Sequence, residues 1–299
     1  MLNTISIKNF WEHLEKKSSP PKYVTKINIV QFRDLKKKAD NKEEFYIKNI
    51  IKKMYKGEAF IVRNAAKKNL KEIAVKLAKY YDKKERPSFH KMLDGTPNFH
   101  IIKNHKVAKK YSLYAIRHSY FLYNWNIKTK LQKQFKDSVY KHWRYVKFLA
   151  GNGKYQYEKN IPSQNQIDRL QIVNYPRGGG ELRDHVDPRK NQRVVSGLIM
   201  SKVGEDFNSG GFYFRDKNNK KINVENQLEV GDSVMFYGSI VHGVDMIDKN
   251  RKIDWKSYKG RWFIGMFVND SNHVKERITA SDLTGSVYSK KFARKNKTA

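Results

Sequence analysis

The chain has 299 residues, 39% of them hydrophobic, enough for one large or two modest domains with a packed core. It contains no cysteine, which excludes disulfides and thiolate metal centres. Its formal charge of +33 would attract a polyanion, yet the lysines are spread along the whole chain and read as solvated faces, so charge alone names no partner.

No apolar run approaches the ~20 residues of a membrane span. The start of the chain carries no secretory signal pattern. The absence of disulfides fits a reducing cytoplasm, and a cytoplasmic location is expected. In chain order, residues 5–17 place Phe10, Trp11 and Leu14 at helical spacing before Pro20 and Pro21 break any helix. Residues 42–56 put Phe45, Ile50, Ile51, Met54 and Tyr55 on one expected stripe and stop at Gly57. Glu58–Arg63 reads as a short buried strand, and residues 67–82 as an amphipathic helix with Leu70, Ile73, Ala74, Leu77 and Tyr81 in register.

Residues 83–126 read as loops around Pro87, Gly95 and Pro97, with an aromatic-rich stretch from Tyr111 to Trp125 that packs on the core or lines a pocket. Residues 127–150 give the clearest helix, with Leu131, Phe135, Val139, Trp143, Val146 and Leu149 on one face and a stop at Gly151. His142 sits beside that stripe as a packed or surface residue. Residues 151–165 are polar and turn-like. From Ile167 onward strands are expected at 168–175, 194–201, 211–215, 233–237, 240–245 and 261–268. Gly178, Gly179 and Gly180 form a loop and not a phosphate cradle, because no lysine follows at the required spacing. The expected class is mostly β with flanking helices, around a double-stranded β-helix, or jelly roll. The organisation expected is a helix-rich region at 1–165, a jelly-roll core at 166–270 and a basic extension at 271–299, mobile over 285–299.

The chemistry concentrates between Leu170 and Val268. In an extended segment alternate side chains share a face, so His185 and Asp187 point the same way. His242 follows, and Arg261 opens the apolar run to Val268. Two histidines and one carboxylate with open positions form the facial triad of non-haem Fe(II) oxygenases. An arginine adds a planar, two-pronged donor for a carboxylate. His105, His118 and His273 lack a carboxylate at metal spacing and are expected to be structural.

The order His185, Asp187, His242, Arg261 resembles the Fe(II)/2-oxoglutarate-dependent dioxygenases. Three further pieces carry the resemblance: Asn174-Tyr175-Pro176 before the metal pair, Gly210-Gly211-Phe212-Tyr213-Phe214, and Leu228 to Phe236 with its Gly231-Asp232 step. It covers roughly residues 165–270. It implies Fe(II) on His185, Asp187 and His242, with 2-oxoglutarate and O2 as cosubstrates. Arg261, rather than Arg251, would take the far carboxylate of 2-oxoglutarate, with Tyr175 supplying a hydroxyl and Asn174 a further contact. The chain departs from the common pattern at Phe263, where relatives often carry Ser or Thr. The reaction implied is hydroxylation with release of succinate and CO2, and not halogenation, because Asp187 fills the ligand position that halogenases leave to halide. Arg183, Arg189 and Arg193 flank the metal pair and would face a small anionic substrate, or stand in a solvated loop. Two alternatives stay open: the same chemistry on a nucleic acid or protein, and a non-catalytic jelly-roll binding module. Against an AlkB-type demethylase, position 267 is Phe where a second arginine is expected.

Overall fold

A computed structural model describes residues 2–84, 113–271, 273–275 and 280–283. The chain begins with α1 (Thr4–Lys17), β1 (Lys26–Gln31), α2 (Phe32–Asp40), α3 (Glu44–Tyr55), β2 (Glu58–Arg63) and α4 (Leu70–Lys84). Strands β3 (Ala115–Ile116) and β4 (His118–Leu122) then precede a long helix, α5 (Lys130–Leu149). The remainder is β5 (Gln166–Pro176), β6 (Glu181–Val186), β7 (Val194–Ile199), β8 (Gly211–Arg215), β9 (Lys221–Asn223), β10 (Ser233–Tyr237), β11 (His242–Asp245), β12 (Gly260–Asp270) and β13 (Ser281–Asp282).

From β5 to β8 and again from β10 to β12, successive strands alternate between two sheets. One sheet runs β1-β2-β10-β7-β12-β5-β4, and the other β13-β6-β11-β8-β9. That alternation, with antiparallel pairing throughout the core, defines a double-stranded β-helix. β2 and β1 extend the larger sheet beyond β10, paired to each other in parallel.

The period of two decides which residues meet the helices. On β12, Trp262, Ile264, Met266 and Val268 join the large core with Trp143, Val139 and Phe135 of α5. Arg261, Phe263 and Phe267 take the other face and line the space between the sheets. The helix α5 starts at Thr129, whose side chain accepts from Gln132 N–H while Gln132 reaches back, a reciprocal cap. The expected position of Phe45 on the α3 stripe is corrected: Phe45 is 88% exposed. At about 100° per residue, Phe45 stands on the side opposite Ile47, Ile50, Ile51 and Met54, which are buried.

The described part of the aromatic stretch holds two strands, with Tyr120, Phe121, Leu122 and Tyr123 buried, as the reading of that stretch as packed on the core expects. The rest of the 83–126 reading, His105 included, lies outside the described residues from 85 to 112, as does the expected tail. Among the described residues no helix is long and apolar enough to cross a membrane.

Candidate metal centre and its cavity

β6 and β11 bring the triad together. His185 is the direct cross-strand partner of His242, and their rings lie 4.1 Å apart by centroid. Register then slips: Val244 pairs with Leu182, so β6 carries one residue more than β11 between the two pairs. This β-bulge lets both Leu182 and His185 face inward. Asp187 stands just past the strand end, its N–H bonded to Gly238 O at 2.9 Å. His242 Nε2 lies 3.4 Å from an Asp187 carboxylate oxygen. One ligand atom from each of His185, Asp187 and His242 falls within 4.8 Å of the others.

The outer nitrogens fix the chemistry of the inner ones. His185 Nδ1 meets Arg183 O at 2.9 Å, and His242 Nδ1 meets Ile240 O at 2.9 Å. A carbonyl only accepts, so each Nδ1 carries the hydrogen, and each neutral ring keeps its Nε2 lone pair for a cation. Burial, aided by the neighbouring His242, pushes the His185 pKa down to about 4, which holds that ring neutral. Burial works the other way on Asp187, but the adjacent His242 outweighs it and holds the carboxyl below its ordinary value. Two neutral imidazoles and one ionised carboxylate, all facing one point, fit the facial-triad donor set of Fe(II).

The triad opens into a cavity of about 400 Å³, in the ~300–1,000 Å³ range of small-ligand pockets. Arg261 lines it and is only 2% exposed. Its Nε donates to Glu225 Oε2 at 2.8 Å, and the same oxygen accepts the Phe212 N–H at 2.6 Å. That leaves the two terminal guanidinium nitrogens available for a planar acceptor. Glu225 fits only because Gly211, at φ +114°, has no side chain: a Cβ there would stand 2.5 Å from Glu225 Cγ. Tyr175 also lines the cavity, with Arg261 6.0 Å from its ring and Arg117 Nη1 3.4 Å from its hydroxyl.

Four sequence expectations are corrected here. Asn174 lies on the opposite face of β5 from Tyr175, away from the cavity, and its buried amide has no hydrogen-bond partner among the described residues. The alternation of the strand forbids both residues from facing one site. Arg183 is exposed, 4.0 Å over the Tyr114 ring. Arg189 is exposed and outside the lining. Arg193 grips Glu15 of α1 with two bonds, at 2.8 and 3.0 Å. Proximity in sequence to the metal pair misleads for all three arginines, because the bulge and the loop turn them outward. Arg251 is exposed, as its turn-like surroundings suggest.

The cavity instead takes Arg117, Arg169 and Gln171 from β5 and the β3–β4 region. Arg169 could have been found by counting alternate positions back from Tyr175. Glu225 had no motif to mark it.

Fold and site together define a double-stranded β-helix protein with a candidate two-histidine, one-carboxylate metal centre. No family model matches the chain. A curated relative, the uncharacterized lipoprotein YjhA of Bacillus subtilis, is 29% identical over 84 residues. The match covers 26% of this chain and 39% of YjhA, so the chain spans about two-fifths of that relative. Among solved structures, the chain is similar to a Neurospora crassa protein solved in complex with alpha-KG and 5-formyluracil, at 13% identity and TM-score 0.49, covering 82% of this chain and 84% of that one. It is also similar to a putative 2OG-Fe(II) oxygenase family protein from Caulobacter crescentus, at 12% identity and TM-score 0.46, covering 91% and 99%. A Pseudomonas putida prolyl-4-hydroxylase matches at 10% identity and TM-score 0.45, covering 74% and 97%.

Proposed function

We propose that this protein is an Fe(II)- and 2-oxoglutarate-dependent oxygenase that hydroxylates a small organic substrate. The observation that carries the reading is the joint geometry of the triad and the buried arginine. His185, Asp187 and His242 converge on one point with both Nδ1 atoms tied down, and Arg261 lines the same cavity. Iron bound there would supply the activation of O2 that couples decarboxylation of 2-oxoglutarate to oxidation of a C–H bond.

The chain's own residues have separable tasks. His185, Asp187 and His242 hold the cation on one side and leave its other positions to ligands. Arg261, steadied by Glu225, takes the far carboxylate of 2-oxoglutarate, and Tyr175 offers a hydroxyl on the same wall. Phe212, Phe236, Phe263 and Phe267 keep the lining apolar and exclude water.

A cavity of about 400 Å³ has the size of a small-ligand pocket and favours a small molecule over a duplex or a folded protein as substrate. Release of succinate from 2-oxoglutarate, dependent on added Fe(II) and O2, tests the assignment. His185→Ala and His242→Ala should abolish it with the fold retained. Full turnover in both variants would remove the triad from the mechanism. Under 18O2 with excess chloride, the product should carry labelled oxygen and no chlorine.

A further inference from the structure

We propose that Arg117 is a positioning residue for 2-oxoglutarate: it donates to the Tyr175 oxygen and so directs the Tyr175 hydrogen onto the carboxylate that Arg261 holds. This rests on the oxygenase reading above and names how the chain supplies a second, oriented donor beside Arg261.

The three side chains stand on one rung of the larger sheet. Arg261 is the direct partner of Tyr175 across β12 and β5. His118, the first residue of β4, is opposite Asn174 of β5. Arg117, one residue earlier, continues that register opposite Tyr175, and alternation puts it on the inner face with Tyr175 and Arg261. All three line the cavity, as does His185. Arg117 Nη1 is 3.4 Å from the Tyr175 hydroxyl, and the Arg261 guanidinium is 6.0 Å from the Tyr175 ring, so the tyrosine sits between two cations. The next inward side chain on β12 is Phe263, which has no hydroxyl to offer. Its ring instead stacks on that of Tyr175, with centroids 6.3 Å apart and 19° between the planes.

Hydrogen-bond accounting gives the direction. A guanidinium only donates, so the Tyr175 oxygen is the acceptor and its own hydrogen must go elsewhere. Tyr175 is fully buried, and no acceptor takes that hydrogen among the described residues. A buried hydroxyl is normally spent on a partner, so the acceptor this one fits is a molecule in the cavity. Phe263 holds the plane of the ring, and Arg117 occupies one side of the oxygen, which leaves the other side for the hydrogen. No carboxylate is bonded to Arg117 among the described residues, so its charge falls undivided on the phenol oxygen and polarises the O–H into a stronger donor. The anion that the rung presents to that donor is the far carboxylate of 2-oxoglutarate on the neighbouring Arg261.

The test is calorimetric binding to the Fe(II)-loaded, full-length protein under anaerobic conditions, with 2-oxoglutarate and 2-oxopentanoate as probes. The second acid has the same carbon chain and lacks the far carboxylate. Arg117→Met should weaken 2-oxoglutarate roughly ten-fold or more, as loss of a hydrogen bond to a charged group does, and leave 2-oxopentanoate unchanged. Tyr175→Phe should do the same. The double variant should bind 2-oxoglutarate no worse than Tyr175→Phe alone, because both changes delete one and the same hydrogen bond. Unchanged 2-oxoglutarate affinity in Arg117→Met, equal weakening of both acids, or losses that add in the double variant would each overturn the proposal. A parent protein that does not prefer 2-oxoglutarate to 2-oxopentanoate would overturn the oxygenase reading as well, and that result is read before any variant is made.

Discussion

At the scale of single residues, Arg261 and Glu225 form a buried ion pair that decides how the cosubstrate binds. Both side chains are at most 2% exposed, so neither charge has water to fall back on. Replacing Arg261 by Met should raise the KM for 2-oxoglutarate by on the order of 10²-fold or more, since truncating one side of a buried charged contact costs roughly 2–5 kcal/mol. Arg251→Met should leave KM unchanged, and the opposite pattern would move the anchor. Glu225→Gln has a different signature. Removing its charge leaves Arg261 uncompensated and should lower the Tm of the ligand-free protein, because an unpaired buried charge costs several kcal/mol. The 2-oxoglutarate carboxylate then restores the missing negative charge, so the ligand should raise Tm more in Glu225→Gln than in the parent. An equal or smaller rise in thermal shift would show that Glu225 does not balance that charge. Sequence made His185, Asp187, His242 and Arg261 visible because metal and carboxylate chemistry restrict residue type and order. Glu225 stayed hidden because its role comes from a three-dimensional meeting of β8, β12 and the 3-10 turn Glu225–Gln227, which no spacing rule records.

At the scale of elements, the strand pattern explains which readings hold. Alternation, applied to the strand 168–175 before the motif, would have placed Asn174 outward. β6, which carries His185, was not among the expected strands. Its bulge breaks the period of two, and Glu181, Arg183 and Asp184 make it look like a loop. β1 and α2 were missed because β1 is a partly exposed edge strand and α2 buries only Leu35 and Ala39. The start of β8 supplies a prediction. Gly211→Ala must adopt a positive φ and press against Glu225, so it should cost roughly 1–3 kcal/mol and weaken 2-oxoglutarate binding in the same variant. Denaturant unfolding alongside cosubstrate titration checks both effects together. On α5, His142 is fully buried, its Nε2 3.2 Å from Ser196 Oγ, and burial lowers its pKa from an ordinary 6.5 to about 3. The folded chain therefore refuses a proton that the unfolded chain accepts between those values. The stability this ring contributes is present above pH 6.5 and is lost as pH falls toward 3. Between pH 7 and 5 the parent should lose about 2 kcal/mol more than His142→Leu in urea unfolding.

At the scale of the whole molecule, the jelly roll was legible because strands alternate between two sheets around residues whose chemistry needs enclosure. The helical layer is tied to that core by side chains far apart in sequence. Glu15 of α1 holds Arg193 and accepts the Tyr237 hydroxyl at 2.8 Å, and Lys147 of α5 meets Asp168 of β5 at 2.9 Å in a fully buried pair. The formal charge of +33 belongs to the chain as a whole. Binding to DNA should be weak, indifferent to sequence and steeply dependent on salt, as phosphate contacts alone would make it. Sequence-selective binding at physiological salt, read by fluorescence anisotropy, would instead favour a nucleic-acid substrate. The central claim is that one cavity binds iron through the triad and 2-oxoglutarate through Arg261, and an anaerobic titration monitored by visible absorption tests it most directly. Fe(II) and 2-oxoglutarate together should produce a charge-transfer band that neither produces alone, absent in His242→Ala and shifted to higher 2-oxoglutarate concentration in Arg261→Met. No band in the parent protein, or an unchanged band in both variants, would contradict it.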